Sequence, residues 1–141
     1  EEARINTIEL LDANAQTTTR IDTNSAMQIR TNITAQTALR APVIKVYISK
    51  LDGLVVWSST SHRAEGKVGN MQESVTATID IPRLPLLEGT YYISVACTDA
   101  TGTTEYDHCQ NWVRFDVHQH DVFEEGLVAV PSAWRIDRQP K

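Results

Sequence analysis

The stretch Val43-Ile44-Lys45-Val46-Tyr47-Ile48-Ser49-Lys50-Leu51-Asp52-Gly53-Leu54-Val55-Val56-Trp57-Ser58-Ser59-Thr60 decides the fold. Two β-branched, alternating runs flank Asp52-Gly53, and glycine tolerates the positive φ that a tight hairpin turn demands. A two-residue loop sets Leu51 against Leu54, Ser49 against Val56, Tyr47 against Ser58 and Lys45 against Thr60. The opposite face then carries Ile44, Val46 and Ile48 with Val55, Trp57 and Ser59. That set is the more apolar, so it is the core face, and Trp57 belongs to the core. Tyr47 and Lys45 point outward.

The same pattern extends over the chain. Thr, Val and Ile make up 39 of the 141 residues, a β-branched excess that favours strands. Strands are expected at 5–11, 26–34, 43–51, 54–60, 74–81, 91–98, 111–117 and 126–130. Asn14–Asn24, polar and Thr-rich, reads as an irregular edge or loop. Many short strands at even spacing imply a single all-β domain over 1–141, an antiparallel β-sandwich of immunoglobulin-like or jelly-roll-like type.

A second signal is Leu87-Glu88-Gly89-Thr90-Tyr91, following Pro82 and Pro85. It has the form of the corner where a Tyr hydroxyl bonds back to the preceding loop in immunoglobulin-like sandwiches. Tyr91, Ile93 and Val95 then face the core, as do Val113, Phe115 and Val117 in the next run. In such an order the runs at 43–51, 54–60, 91–98 and 111–117 share one sheet. Its outer face displays Lys45, Tyr47, Ser58, Thr60, Tyr92, Ser94, Trp112 and Arg114. Aromatic plates suit the C–H face of a sugar ring, with hydroxyls and cations to take directional bonds. Burial under another subunit or under the chain ends is the alternative use of such a face.

Composition narrows the function classes. A formal charge of −5 and the lack of a basic block argue against nucleic-acid binding. No apolar run approaches the ~20 residues of a membrane-spanning helix. Cys97 and Cys109 do not form a dense disulfide framework, and a reduced pair is expected. Gly66-Lys67 would need Gly at position 61 to complete a phosphate loop, and Ser61 stands there. The domain is therefore expected neither to bind nor to hydrolyse ATP, and no cofactor is implied. His118-Gln119-His120-Asp121 lacks a third ligand at convincing spacing and reads as a solvated strand end. Asp107-His108-Cys109 reads as a polar loop rather than a catalytic dyad, and Asp99, Glu105 and Asp107 as solvated loop carboxylates rather than a glycosidase pair. Asn32-Ile33-Thr34 fits a glycosylation sequon, meaningful only in a secreted eukaryotic chain. The chain opens on Glu1 without a signal segment, as expected of a processed protein or a fragment of a longer one.

Ordered segments suggest a family. They are Ile5-Asn6-Thr7-Ile8-Glu9-Leu10-Leu11-Asp12, Lys50-Leu51-Asp52-Gly53, the run from Leu84 to Val95, Phe115-Asp116-Val117, and Glu125-Gly126-Leu127-Val128-Ala129-Val130-Pro131-Ser132-Ala133-Trp134-Arg135. Together the set resembles the C-terminal domain of Wzt, the nucleotide-binding subunit of bacterial ABC transporters that export O-antigen polysaccharide. The resemblance implies a non-catalytic sandwich that recognises the end of an O-antigen chain. It also implies a parent protein with an ATPase domain, working with a transmembrane transporter subunit at the cytoplasmic side of the inner membrane. Family members dimerise through C-terminal strands, which points to residues 126–136 as the partner contact. The resemblance supplies no ligand motif, so the carbohydrate-binding set, Tyr92, Trp112, Arg114, Tyr47, Lys45, Ser94 and Ser58, rests on strand parity. An extracellular or enzyme-attached carbohydrate-binding sandwich and an oligomerisation module are the alternatives.

Overall fold

Period-two alternation of apolar and polar residues produces two stacked sheets. The structure, a computed structural model, describes residues 2–63, 68–120 and 123–140. Its strands are β1 (Ala3–Leu11), β2 (Arg20–Asp22), β3 (Met27–Ala35), β4 (Val43–Ser49), β5 (Val55–Thr60), β6 (Ser74–Ile81), β7 (Gly89–Thr98) and β8 (Glu105–His118). One sheet has the order β1-β3-β6 and the other β2-β8-β7-β4-β5. All pairings are antiparallel except β2 with β8, which run parallel. This is an immunoglobulin-like sandwich, with β4, β5, β7 and β8 in one sheet as the immunoglobulin-like order implies.

The hairpin keeps the expected register by an unexpected route. Lys45 faces Thr60 and Tyr47 faces Ser58, but Ser49 faces Val55 rather than Val56. The loop holds three residues, closed by Gly53 N–H to Lys50 O and Lys50 N–H to Leu54 O, with Gly53 at φ +94. A one-residue bulge between Ile48 and Trp57 on one side and Ser49 and Val55 on the other offsets the longer loop. The bulge also turns Val55 out of its expected core position, leaving it 52% exposed. Leu51 and Leu54 are exposed at the tip, while Ile44, Val46 and Ile48 are buried and Trp57 packs half-buried against the core.

The corner forms as the sequence implies. Tyr91 is fully buried and its hydroxyl donates to Leu87 O at 2.8 Å. Its ring packs on Phe115 with centroids 5.8 Å apart, and Lys50 Nζ lies 4.5 Å from its centre. Burial pushes the phenol above its ordinary pKa. The connection before β7 is tied down by Asn24 N–H to Leu84 O, Leu84 N–H to Ser25 O, and the Thr23 hydroxyl to Leu86 O.

Three elements depart from expectation. Within the polar stretch Asn14–Asn24, Arg20–Asp22 forms β2, because Ile21 enters the core and the parallel ladder to Asp116, Val117 and His118 satisfies its backbone. β8 begins at Glu105, six residues before the expected Asn111, so Glu105, Asp107, His108 and Cys109 are strand residues rather than loop residues. Asn111, at φ +52, interrupts the alternation that would have betrayed the earlier start. Finally, 126–130 is not a regular strand. It makes a single bridge, Val128 to Leu86, flanked by Leu87 N–H to Leu127 O and Ala129 N–H to Pro85 O, and so lies against its own chain.

The sheets approach closely where β1 lies against β8 and β7. There Asp107 accepts the Ile5 backbone N–H at 2.8 Å, supplying a partner at the β1 bulge. Replacing Tyr91 with Phe removes one buried hydrogen bond and orphans the Leu87 carbonyl. This variant is expected to lose about 1–3 kcal/mol of stability in urea unfolding with its strand signal intact. An unchanged midpoint would contradict the corner's role.

Candidate functional site

Because Tyr91 is inward, Tyr92 is outward, and the ladders carry that parity across the sheet. Arg114 lies directly opposite Tyr92, and Ser49 flanks it on the other side. The next row sets Ser58, Tyr47 and Ser94 side by side, and the row beyond sets Thr60, Lys45, Ala96 and His108. Neighbours within a row are roughly 5 Å apart, and the rows of Tyr92 and Lys45 roughly 13 Å apart. Trp112 is 62% exposed on this face. The structure thus brings Tyr92, Trp112, Arg114, Tyr47, Lys45 and Ser58 to one surface.

Ser94 shares the face but not the exposure. It is 4% exposed, its backbone flanked by larger neighbours, and its Oγ accepts the Asn111 backbone N–H at 2.8 Å. Ser94 therefore supports the bulge in β8 instead of meeting solvent, which corrects its expected place among the ligand contacts. Ser49, Ala96 and Thr98 are likewise buried small residues of this face. Together they form a low floor between taller side chains on β4, β7 and β8.

Asn111 is the residue the alternation missed. Held at φ +52, it creates the bulge that separates the Cys109 register from the Val113 register. Its Oδ1 is buried with no hydrogen-bond partner in the structure. Bulges re-aim neighbouring side chains, and this one adjoins the exposed Trp112. An asparagine inside a long polar-apolar run, a residue that tolerates the left-handed conformation, was the available signal.

Charges are arranged loosely. Arg114 Nη2 stands 4.0 Å from Asp116 Oδ1 and remains 66% exposed, so its guanidinium is free to grip a ligand. Asp116 Oδ1 already accepts the Thr90 hydroxyl at 2.7 Å. Lys45 leans the other way, its Nζ reaching the turn around Gly102. In that turn slight burial opposes ionisation of Asp99. Hydrogen bonds from the Thr104, Thr103 and Gly102 backbone and the Thr101 hydroxyl outweigh it, holding the carboxyl below its usual value.

Four acidic and imidazole groups of β8 and the segment after it are engaged with the scaffold. Asp107 accepts from Ile5 N–H and His108 N–H, and Glu105 lies 3.4 Å from His108. His120 pairs with Asp22 at 3.0 Å. Among the described residues no three His, Cys, Asp or Glu side chains gather as a metal site. Glu65-Gly66-Lys67 and Asp121 lie outside the described residues.

A sequence profile for the Wzt C-terminal domain matches residues 1–130. The chain belongs to the Wzt C-terminal domain family. No curated protein matches it in sequence. Among solved structures, a crystal structure of the C-terminal domain of Wzt superposes with a TM-score of 0.84 at 16% identity, covering 95% of this chain and 83% of that one. A Niemann-Pick type C2 protein from Japanese carpenter ant is similar at TM-score 0.57 and 11% identity, over 85% of this chain and 94% of that one. At these identities the structural likenesses establish the sandwich fold. The Wzt-type domain is thus recognised both by profile over nearly its whole length and by fold.

Cys97 and Cys109 are both free in this Wzt-type domain. They point to the core from diagonal, not opposite, positions: Val95 faces Cys109, and Cys97 faces Asp107. Burial first and the Asp107 charge second push the Cys97 thiol up to about 11 and also raise Cys109. In native protein at mildly alkaline pH, a thiol-specific reagent is expected to label Cys109 slowly and Cys97 only after denaturation. Equal labelling of both would contradict this placement.

Proposed function

We propose that this domain is a non-catalytic glycan-binding module that recognises the end of an O-antigen polysaccharide and selects it for ABC-transporter export. The observation that carries the reading is the exposed Trp112 on the face where Tyr92 and Arg114 lie directly opposite each other. Indole and phenol rings offer flat apolar surfaces to sugar C–H groups, and Arg114 supplies forked donors for hydroxyl, carboxylate or phosphate substituents. Tyr47, Lys45 and Ser58 extend the surface along β4 and β5. Family membership supports the transporter setting: a parent chain with an ATPase domain, a transmembrane partner, and a place on the cytoplasmic side of the inner membrane.

Trp112→Ala is expected to weaken binding of the polysaccharide made by the source bacterium by about 1–2 kcal/mol, roughly five- to thirtyfold, with the melting transition unchanged. Removing the terminal residue of the polysaccharide should weaken binding to the unmodified domain as strongly. Unaltered affinity in either comparison contradicts the reading. Should Trp112→Ala unfold the domain while Trp57→Ala is tolerated, the face assignment is reversed.

The reading includes a homodimer made through the segment 126–136. Phe123, Val130, Trp134 and Ile136 are 70–90% exposed. An isolated bridge to Leu86 leaves most of this backbone without a ladder partner. Exchange between two copies would cover both surfaces, close a two-fold assembly and present two glycan sites together. Light scattering at tens of micromolar is expected to give about twice the 15.8 kDa chain mass. Deletion from Gly126 onward should give the monomer mass or aggregation. A monomeric intact chain contradicts exchange.

A further inference from the structure

Close approach between the sheets runs along β1, β8 and β7, whereas among the described residues the opposite side, between the edge strands β5 and β6, is not closed by strand contacts. The cause lies in side-chain size at one level of the sandwich. β6 places Ala77 beside Thr31 of β3, and β5 places Ser59 beside Val46 of β4. The Thr31 hydroxyl is turned to Thr7 O. Where neighbouring inward rungs carry Ile, Val or Trp57, these three positions are small or polar.

A cleft of about 560 Å³ results. Ile29, Ile44, Val46 and Met71, all core residues, line its floor, and Val75 and Ile79 line a wall. Protein interiors are close-packed and retain few voids larger than a water molecule. An apolar cleft with a few polar groups is instead the ordinary form of a ligand site. Ser59, on the inward parity of Val46, Ser61, whose Oγ accepts the Ile44 backbone N–H, and Asn70 give the lining its polar groups, whereas Thr60 and Thr78 share the outward parity of Lys45 and Arg30. Glu73 is the one charged residue, and there is no cation, among the described lining residues.

We propose that this cleft binds a single hydrocarbon chain carrying an uncharged, hydroxyl-bearing head group, such as a monoacylglycerol. The chain would lie over Ile29, Ile44, Val46 and Met71, with its head beside Ser59, Ser61 and Asn70. Glu73 disfavours a carboxylate or phosphate head by like-charge repulsion. The cleft is inside the sandwich and the glycan face is outside it, so neither reading depends on the other.

The test uses the intact chain and 1-N-phenylnaphthylamine, an uncharged dye that brightens in apolar surroundings. Saturable brightening is expected, reversed by glycerol monolaurate below its micelle concentration. Laurate should compete roughly tenfold less well, and glycerol alone not at all. Ala77→Phe and, independently, Ser59→Leu fill the cleft. Each is expected to reduce dye affinity roughly tenfold or more while retaining a cooperative melt and polysaccharide binding. Absence of saturable brightening, or undiminished affinity in a filled variant that still folds, overturns the proposal. Equal competition by laurate overturns its head-group component.

Discussion

The hydrogen bond from the Tyr91 hydroxyl to the Leu87 carbonyl is the constraint on which the rest of the molecule depends. It fixes where the chain leaves one sheet and enters the other. It also fixes which way Tyr91 of β7 points. With the Tyr91 phenol committed to the interior, strand geometry leaves Tyr92 no choice but the outer face. Phe115 and Arg114 inherit the same division across the ladder, one against the Tyr91 ring and one in solvent. A one-residue slip at this corner would bury the outward-facing aromatics and expose the core.

Much of this was legible from the amino acids because burial enforces parity. Ile44, Val46, Ile48, Tyr91, Ile93, Val95, Phe115 and Val117 are all buried as the alternation demands. The failures occur where something other than a two-residue period sets the structure. Ile21 is one apolar residue in a polar run, and β2 exists only because β8 offers it an edge. Asn111 breaks the period of β8 by one left-handed residue, which hid the strand's first half and spent Ser94 on the bulge. The segment 126–130 has strand-like composition, yet among the described residues its backbone pairs just with Pro85, Leu86 and Leu87. Composition sets strand propensity, but pairing requires an available edge.

The two sides of the sandwich are built differently. Along β1 and β8, Asp107 joins the sheets through the Ile5 backbone. Along β5 and β6 the small side chains of Ser59 and Ala77 leave a cleft among the described residues. The outer face of the five-stranded sheet is supported from beneath by small buried residues, Ser49, Ser94, Ala96 and Thr98, which leave height for the aromatics and cations around them. Rigid strands therefore hold the candidate glycan contacts, and pre-organised contacts lose little ordering entropy on binding.

The three tryptophans report on three separate places: Trp57 against the core, Trp112 on the outer face and Trp134 in the exposed tail. Their indole N–H signals in a proton–nitrogen correlation spectrum, followed while the source bacterium's polysaccharide is added, test the central claim most directly. The account predicts that the Trp112 indole and the backbone amides of Tyr47, Tyr92 and Arg114 shift in a saturable way, with Trp57 unmoved. Shifts confined to β1, β3 and β6 or to the Trp134 tail, with Trp112 still, would contradict it.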